Sequence, residues 1–256
     1  MMDPLLVFRT MTETLVKNCY HSYTWLMEGD ERSLALEVLL NASWLQGYPA
    51  AMSQVLVAQG RLIALKSGEW AQAEGDSQNG LVIVVKGLLQ SYCAANSDRV
   101  VLVGFAGSGS VLGHATRYSG GPRLVTAVCA QDSTLLRISE GALDRVAALH
   151  PELWRAIADF TYSHMRSALR MAAEAISLRP PARIAGRLLA NAQQDRHRDT
   201  AIIRISQELL GEMTGLTRKT INLHLCAFER DGLVRLGYGW IELRDMERLR
   251  MVTNAG

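Results

Sequence analysis

Long apolar runs are missing from this sequence. The longest, LVIVV (Leu81–Val85), is strand-sized, well short of the roughly 18–20 residues that span a bilayer. No membrane anchor is expected. The N-terminus, MMDPLLVFRTMTETLV, puts an acid ahead of a short apolar patch and offers no small-residue cleavage site, so a secretory signal is not expected either. Cysteine is scarce and scattered. Cys19, Cys93, Cys129 and Cys226 form no C-x-x-C pair, which argues against a zinc site or a disulfide framework and for reduced thiols in a cytoplasm. No nucleophile–base set, metal-ligand spacing or P-loop stands out, so nothing points to an enzyme. An excess of one charge sign is also absent, the net being +2. That balance hides an asymmetry. From Arg179 to Gly256 there are 13 Lys and Arg against 9 Asp and Glu, while the remainder has 14 against 16. A basic C-terminal part beside a mildly acidic body hints at a polyanionic partner.

Apolar residue types make up 48% of the 256 residues, enough to build a buried core for one large domain or two ordinary ones. Four textures follow one another. Residues 1–45 read as helical, with apolar residues in SLALEVLLNASWL at three-to-four spacing. From about Met52 to Ile138 come short apolar runs separated by glycine turns, the pattern of a sandwich or barrel. HPELWRAIADFTYSHMRSALRMAAEAISL (His150–Leu178) reads as one long helix, stopped by the prolines of RPP. Within it Leu153, Ile157, Phe160, His164, Ser167 and Met171 alternate in four- and three-residue steps, the spacing of a coiled-coil seam. The same helix could instead pack onto its own domain. ARIAGRLLANAQQD then reads as a further amphipathic helix.

The stretch ISQELLGEMTGLTRKTINLHLCAFERDGLV carries the functional signal. Ser206 is a plausible N-cap for a first short helix, Gly215 allows a sharp turn, and Thr217 caps a second helix. On the second helix Ile221, Leu225 and Phe228 share one side. Arg218, Lys219, Asn222, Leu223 and Cys226 share the other. Two helices joined by a glycine turn, the second opening with Arg-Lys, fit a helix-turn-helix that inserts its second helix into the major groove. GLVRLGYGWIELRD reads as strand, glycine turn, strand, which makes a wing.

The order of these parts resembles the Crp/Fnr family of bacterial transcription regulators. It is carried by LKSGEW, the EGD turn, VVKGLLQSY, GSGSVLG, STLLRIS, HPELW, RIAGRLL and ISQELLGEMTGLTRKTI, across roughly Met52 to Val252. The resemblance implies an α+β chain in four parts: a helical N-terminal extension (1–45), a cyclic-nucleotide-binding-like β-roll or jelly roll (46–149), a dimerisation helix (150–178) and a winged helix-turn-helix (179–256). It further implies a cytoplasmic homodimer on a palindromic site in double-stranded DNA, with RNA polymerase as an additional partner and no cofactor. Thr217, Arg218, Lys219, Thr220, Asn222 and Leu223 would meet DNA. Lys219 stands where cyclic-AMP-binding members carry a glutamate that reads cytosine. A lysine there prefers guanine or a phosphate. Leu223 stands where those members carry a second base-reading arginine. It would either touch a thymine methyl or pack on the wing.

The resemblance also locates an effector pocket in GHATRYSGGPRL (Gly113–Leu124) and on the long helix. Gly113 and Arg123 keep the family's glycine and phosphate-binding arginine. His114 replaces the glutamate that takes the ribose, Leu124 replaces a phosphate-binding serine, and Ala168 and Leu169 replace two purine-contacting hydroxyls. Those losses argue against cyclic AMP. Another anion or a cyclic dinucleotide, or no small ligand at all, remain open, as does a sensor whose output is a protein contact. Cys19 stands alone before Cys93, which argues against an iron–sulfur cluster. A haem would need His114, Cys93 or His164 as axial ligand, residues that alone are more often structural. Cys226, on the DNA side, could report oxidation or be inert.

Overall fold

A computed structural model describes residues 30–77, 80–96, 99–116, 120–192 and 201–254. It divides into two compact units, residues 1–100 with 106–160, and residues 101–105 with 161–256. The division falls inside one helix.

The first unit is a β-roll covered by helices. Its strands are β1 (Arg61–Leu65), β2 (Trp70–Gln72), β3 (Gly80–Lys86), β4 (Leu89–Asn96), β5 (Arg99–Ala106, whose residues 101–105 group with the second unit), β6 (Val111–Leu112), β7 (Thr126–Cys129) and β8 (Ser133–Ser139). They form two four-stranded sheets, ordered β1-β8-β3-β6 and β2-β7-β4-β5. The unbroken apolar run of β3 has a structural reason. Val82 and Val84 join the core with Leu89, Ala127 and Leu135. Leu81, Ile83 and Val85 join a second core with the helices. A strand covered on both faces needs no polar alternation.

The helical layer comprises α1 (Asp30–Asn41), a short 3-10 turn (Ser43–Leu45), α2 (Ala50–Gln59), α3 (Glu140–Leu149) and the start of α4 (Leu153–Ser177). Ala35 and Leu39 of α1 are fully buried in the same core as Leu56, Leu143 and Leu153. The described part of the N-terminal extension, residues 30–45, thus contributes to this unit's interior. Residues 1–29 lie outside the described residues. The helix expected from His150 begins at Leu153, because His150 closes α3, donating its amide to Val146 O at 2.8 Å.

The second unit continues α4 and adds α5 (Pro180–Ala192), β9 (Ala201–Ile203), α6 (Gln207–Thr214), α7 (Arg218–Arg230), β10 (Val234–Gly237), β11 (Trp240–Leu243) and α8 (Met246–Asn254). Helix α5 buries Ala182, Ile184, Ala185 and Leu188 and packs against α6, α7, α8 and β9. The wing is a three-stranded sheet, β10-β11-β9, one strand more than the sequence pattern suggests. Strand β9 pairs with β11 through Ile203–Ile241 and Ala201–Leu243. No described helix is long and apolar enough to cross a membrane.

Candidate DNA interface and effector pocket

Helix caps and one left-handed glycine build the helix-turn-helix. Ser206 Oγ accepts a hydrogen bond from the Leu209 amide at 3.1 Å and starts α6. Gly215 ends it at φ +66°, ψ 27°, a conformation that side chains resist. Thr217 Oγ1 accepts from the Thr220 amide at 3.2 Å and starts α7. Both N-caps satisfy amides that would otherwise be orphaned. Helix α7 then buries Ile221, Leu225 and Phe228. Arg218, Lys219, Asn222, Leu223 and Cys226 are all exposed on its other side. Leu223 is 67% exposed, so it is not packed under the wing. The Cys226 thiol lies 3.0 Å from Asn222 Oδ1 and donates to it, holding that amide on the open face. The Thr220 hydroxyl lies 2.9 Å from the Thr217 hydroxyl and belongs to the cap as well.

Several supporting residues carry no recognisable motif. Arg183 donates to Thr214 O and to Leu178 O, each at 3.1 Å, tying α5 to the ends of α6 and α4. Glu229 accepts from the Leu236 amide at 2.7 Å, tying α7 to the wing. On the wing, the Arg235 guanidinium sits 5.6 Å from the Trp240 ring centroid. Arg235 and Arg244 flank Glu242 at 3.8 and 3.5 Å, and Tyr238 projects fully into solvent at the tip. Only an alternating pattern and two glycines announced this hairpin.

Of the six residues expected around an effector, Gly113 and Arg123 meet within the first unit. Gly113 has φ +84°, and the Arg123 guanidinium lies directly against its α-carbon, where a β-carbon would collide with Nη1. Arg123 is 6% exposed. Its backbone exchanges two 2.9 Å hydrogen bonds with the Gly75–Asp76 turn. Burial lowers the pKa of its guanidinium; Asp76 opposes this and Arg137 adds to it. The group stays charged. His114 turns away from it, its ring edge-on to Phe160 at 4.9 Å. Leu124 is 61% exposed. Ala168 and Leu169 belong to the other unit and are exposed.

The six residues expected along a dimer seam differ in their surroundings within the single chain. Leu153 and Ile157 are fully buried in the core of the first unit. Phe160 packs on that core, 6.1 Å from the Trp44 ring. Apolar residues of this stretch are consumed by their own domain. His164 and Ser167 are exposed and Met171 is half-buried. A different stripe faces solvent: Tyr162, Met165, Leu169, Ala172 and Ile176.

Residues 62–150 match the cyclic nucleotide-binding domain family, and residues 182–252 match the Crp-like helix-turn-helix domain family. Over 217 residues the chain is 25% identical to the CRP-like cAMP-activated global transcriptional regulator of Mycobacterium tuberculosis, covering 83% of this chain and 97% of that one. It is 29% identical over 172 residues to the HTH-type transcriptional regulator Cmr of the same organism, covering 67% and 68%. The solved structure of FixK2 from Bradyrhizobium japonicum superposes with a TM-score of 0.66 at 20% identity, covering 75% of this chain and 96% of that one. A β-roll followed by a helix-turn-helix with its polar recognition face open, matched in both parts by these domain families, identifies the chain as a member of the Crp/Fnr family, a transcription regulator with a cyclic nucleotide-binding domain and a DNA-binding helix-turn-helix.

Proposed function

We propose that this regulator acts in the cytoplasm as a homodimer on a palindromic operator, and that cyclic AMP is not its signal. The observation that carries the DNA reading is the outer face of α7. It is polar, basic and solvent-exposed from Arg218 to Asn222, while its inner face is wholly packed. Arg218 and Lys219 enter the major groove first. Guanine O6 and N7 are the best partners for such side chains. Leu223 adds contact with a thymine methyl. Thr217 and Thr220 hold the helix start close to a phosphate. RNA polymerase is the natural downstream partner.

The dimer runs along the exposed stripe of α4. Tyr162, Met165, Leu169, Ala172 and Ile176 alternate in steps of three and four residues, which suits a two-stranded seam. Ile176 is 88% exposed in the single chain, and burying such a stripe against a second copy removes a large apolar surface from water. Two-fold symmetry then requires half-sites about one helical turn apart.

The cyclic-AMP-activated relative is only 25% identical. Here His114 offers no carboxylate to a ribose and is engaged with Phe160, and Leu124 brings no hydroxyl to a phosphate. Selection of bound fragments from a random DNA pool tests the operator: enrichment of an inverted repeat is expected, and a pool without enriched sequences refutes the DNA reading. Calorimetric titration with cyclic AMP is expected to give no heat. Tight binding would overturn that part alone.

A further inference from the structure

Arg218, Asn222 and Cys226 follow one another at four-residue steps along the open face of α7, and all three are exposed. Each step is about one turn and a rise of about 6 Å, close to two base steps of about 3.4 Å. With α7 in the major groove and Arg218 over one base, Asn222 comes within about two base pairs of it. Family counterparts read bases from the positions of Lys219 and Leu223. Asn222 adds a carboxamide of its own to this face, and the base it selects depends on which end of that amide is free.

An asparagine with both amide ends free reads adenine. Its oxygen accepts from N6 while its nitrogen donates to N7. In α7 the oxygen is already engaged. The Cys226 thiol donates to Asn222 Oδ1 across 3.0 Å, and Cys226 is in no disulfide, so its proton is available. Amide oxygen is a stronger acceptor than thiol sulfur, so the proton stays on sulfur and the oxygen end of the amide faces it. The two residues are neighbours on the helix surface, one turn apart, which closes the bond on a rigid backbone. In water such an exposed contact contributes little. In a groove from which water is displaced, an acceptor without a partner is costly, so the bond counts most when DNA is bound.

We propose that Cys226 is a positioning residue that turns Asn222 into a donor-only reader, selecting guanine where a free asparagine would select adenine. The proposal rests on the reading that this face of α7 meets DNA. The thiol directs Oδ1 along the helix toward Cys226, and the amide then offers only its NH2 group to a base. Guanine presents two acceptors to the major groove, O6 and N7, and thymine presents one, O4. Adenine and cytosine each present an exocyclic amino group, a donor that finds no acceptor here. Lys219, three residues before Asn222 and also exposed, brings a cation to the same stretch of groove. A cation favours the same acceptor-rich edge.

The test is selection from a random DNA pool, in a thiol reductant, with the full-length chain and its Asn222→Ala, Cys226→Ala and Cys226→Ser variants. Both side chains are exposed, so the variants are expected to fold, and thermal unfolding checks this. Asn222→Ala should erase the base preference at one position, within about two base pairs of the position governed by Arg218. The unsubstituted chain should enrich guanine there and Cys226→Ala should enrich adenine. Cys226→Ser, whose hydroxyl also donates, should keep guanine. Anisotropy with two operators differing only at that position then gives the ratio. The unsubstituted chain is expected to favour the guanine operator about tenfold, and Cys226→Ala to favour the adenine operator by a similar factor. A merely structural role for Cys226 would weaken both operators alike and leave the ratio unchanged, which overturns the proposal. So does adenine enriched by the unsubstituted chain, an Asn222→Ala chain with every preference intact, or a Cys226→Ser chain that behaves as Cys226→Ala. A pool without enriched sequences refutes the DNA reading itself and the proposal with it. Enrichment with an unaltered ratio refutes the proposal alone.

Discussion

At the scale of single residues, Lys219 and Gly113 each turn on one chemical property. Lys219 is exposed on the open face of α7, so its effect is on partner choice and not on folding. Lys219→Glu is expected to change the bases enriched in a random-pool selection, replacing guanine preference with cytosine. Arg218→Ala should weaken binding to the selected operator by about 1–3 kcal/mol, the usual worth of a specific base contact, read by fluorescence anisotropy at fixed salt. Gly113 combines a positive φ with the Arg123 guanidinium against its α-carbon. Gly113→Ala therefore strains the backbone and displaces a buried cation. A loss of about 1–3 kcal/mol is expected in denaturant unfolding with an unchanged m-value. An unchanged midpoint would mean that Arg123 moves aside at no cost. The glycine and the arginine were legible from the resemblance. Their mutual contact was not, because the two are ten residues apart and meet only once the turn at Gly75 is folded.

Among elements, α4 is the one whose role changes along its length. Its 25 residues carry apolar side chains on more than one face. Toward the N-terminus, Leu153 and Ile157 belong to the core of the first unit. Further along, Tyr162, Met165 and Leu169 face solvent. Two substitutions separate these roles. Ile157→Ala should destabilise the fold by about 2–5 kcal/mol, as large-to-small core changes do, measured by chemical denaturation. Leu169→Glu should leave the fold intact and shift the chain from dimer to monomer in sedimentation velocity. A Leu169→Glu chain that remains dimeric rules out the exposed stripe as the interface. In α7 the cap at Thr217 is local and was legible from the sequence. Thr217→Ala should cost about 0.5–2 kcal/mol and lower operator affinity in parallel, because the cap also sets the angle of Arg218.

Across the whole molecule, charge is distributed by part. The basic excess lies between Arg179 and Gly256, where the recognition helix and the wing carry exposed Arg218, Lys219, Arg235 and Arg244. Operator binding should therefore fall steeply with salt. The log–log slope is expected to be about −0.9 for each phosphate neutralised, and removing one phosphate-contacting arginine should reduce it by about that amount. A slope near zero in anisotropy titrations would contradict an electrostatic interface of this kind. The order of the parts, β-roll, long helix and helix-turn-helix, was readable because each part has its own period: glycine-punctuated strands, a long amphipathic run, and two capped helices around one glycine. Strand β9 escaped because three residues leave no period, and its only signature is pairing with β11.

The sequence by itself determined the order of the parts, and which side of α7 is packed and which stays polar and open. Caps, turns and periodicity are local, and a thirteen-residue helix with one apolar face has only one way to pack. Tertiary structure decided the rest. It assigned Ala35 and Leu39 to the core, it divided α4 into a packed start and an open stripe, and it set Arg123 against Gly113 while His114 went to Phe160. Those outcomes depend on which distant residue fills the adjoining space. A side chain's type limits its possible neighbours, and only the folded packing selects among them.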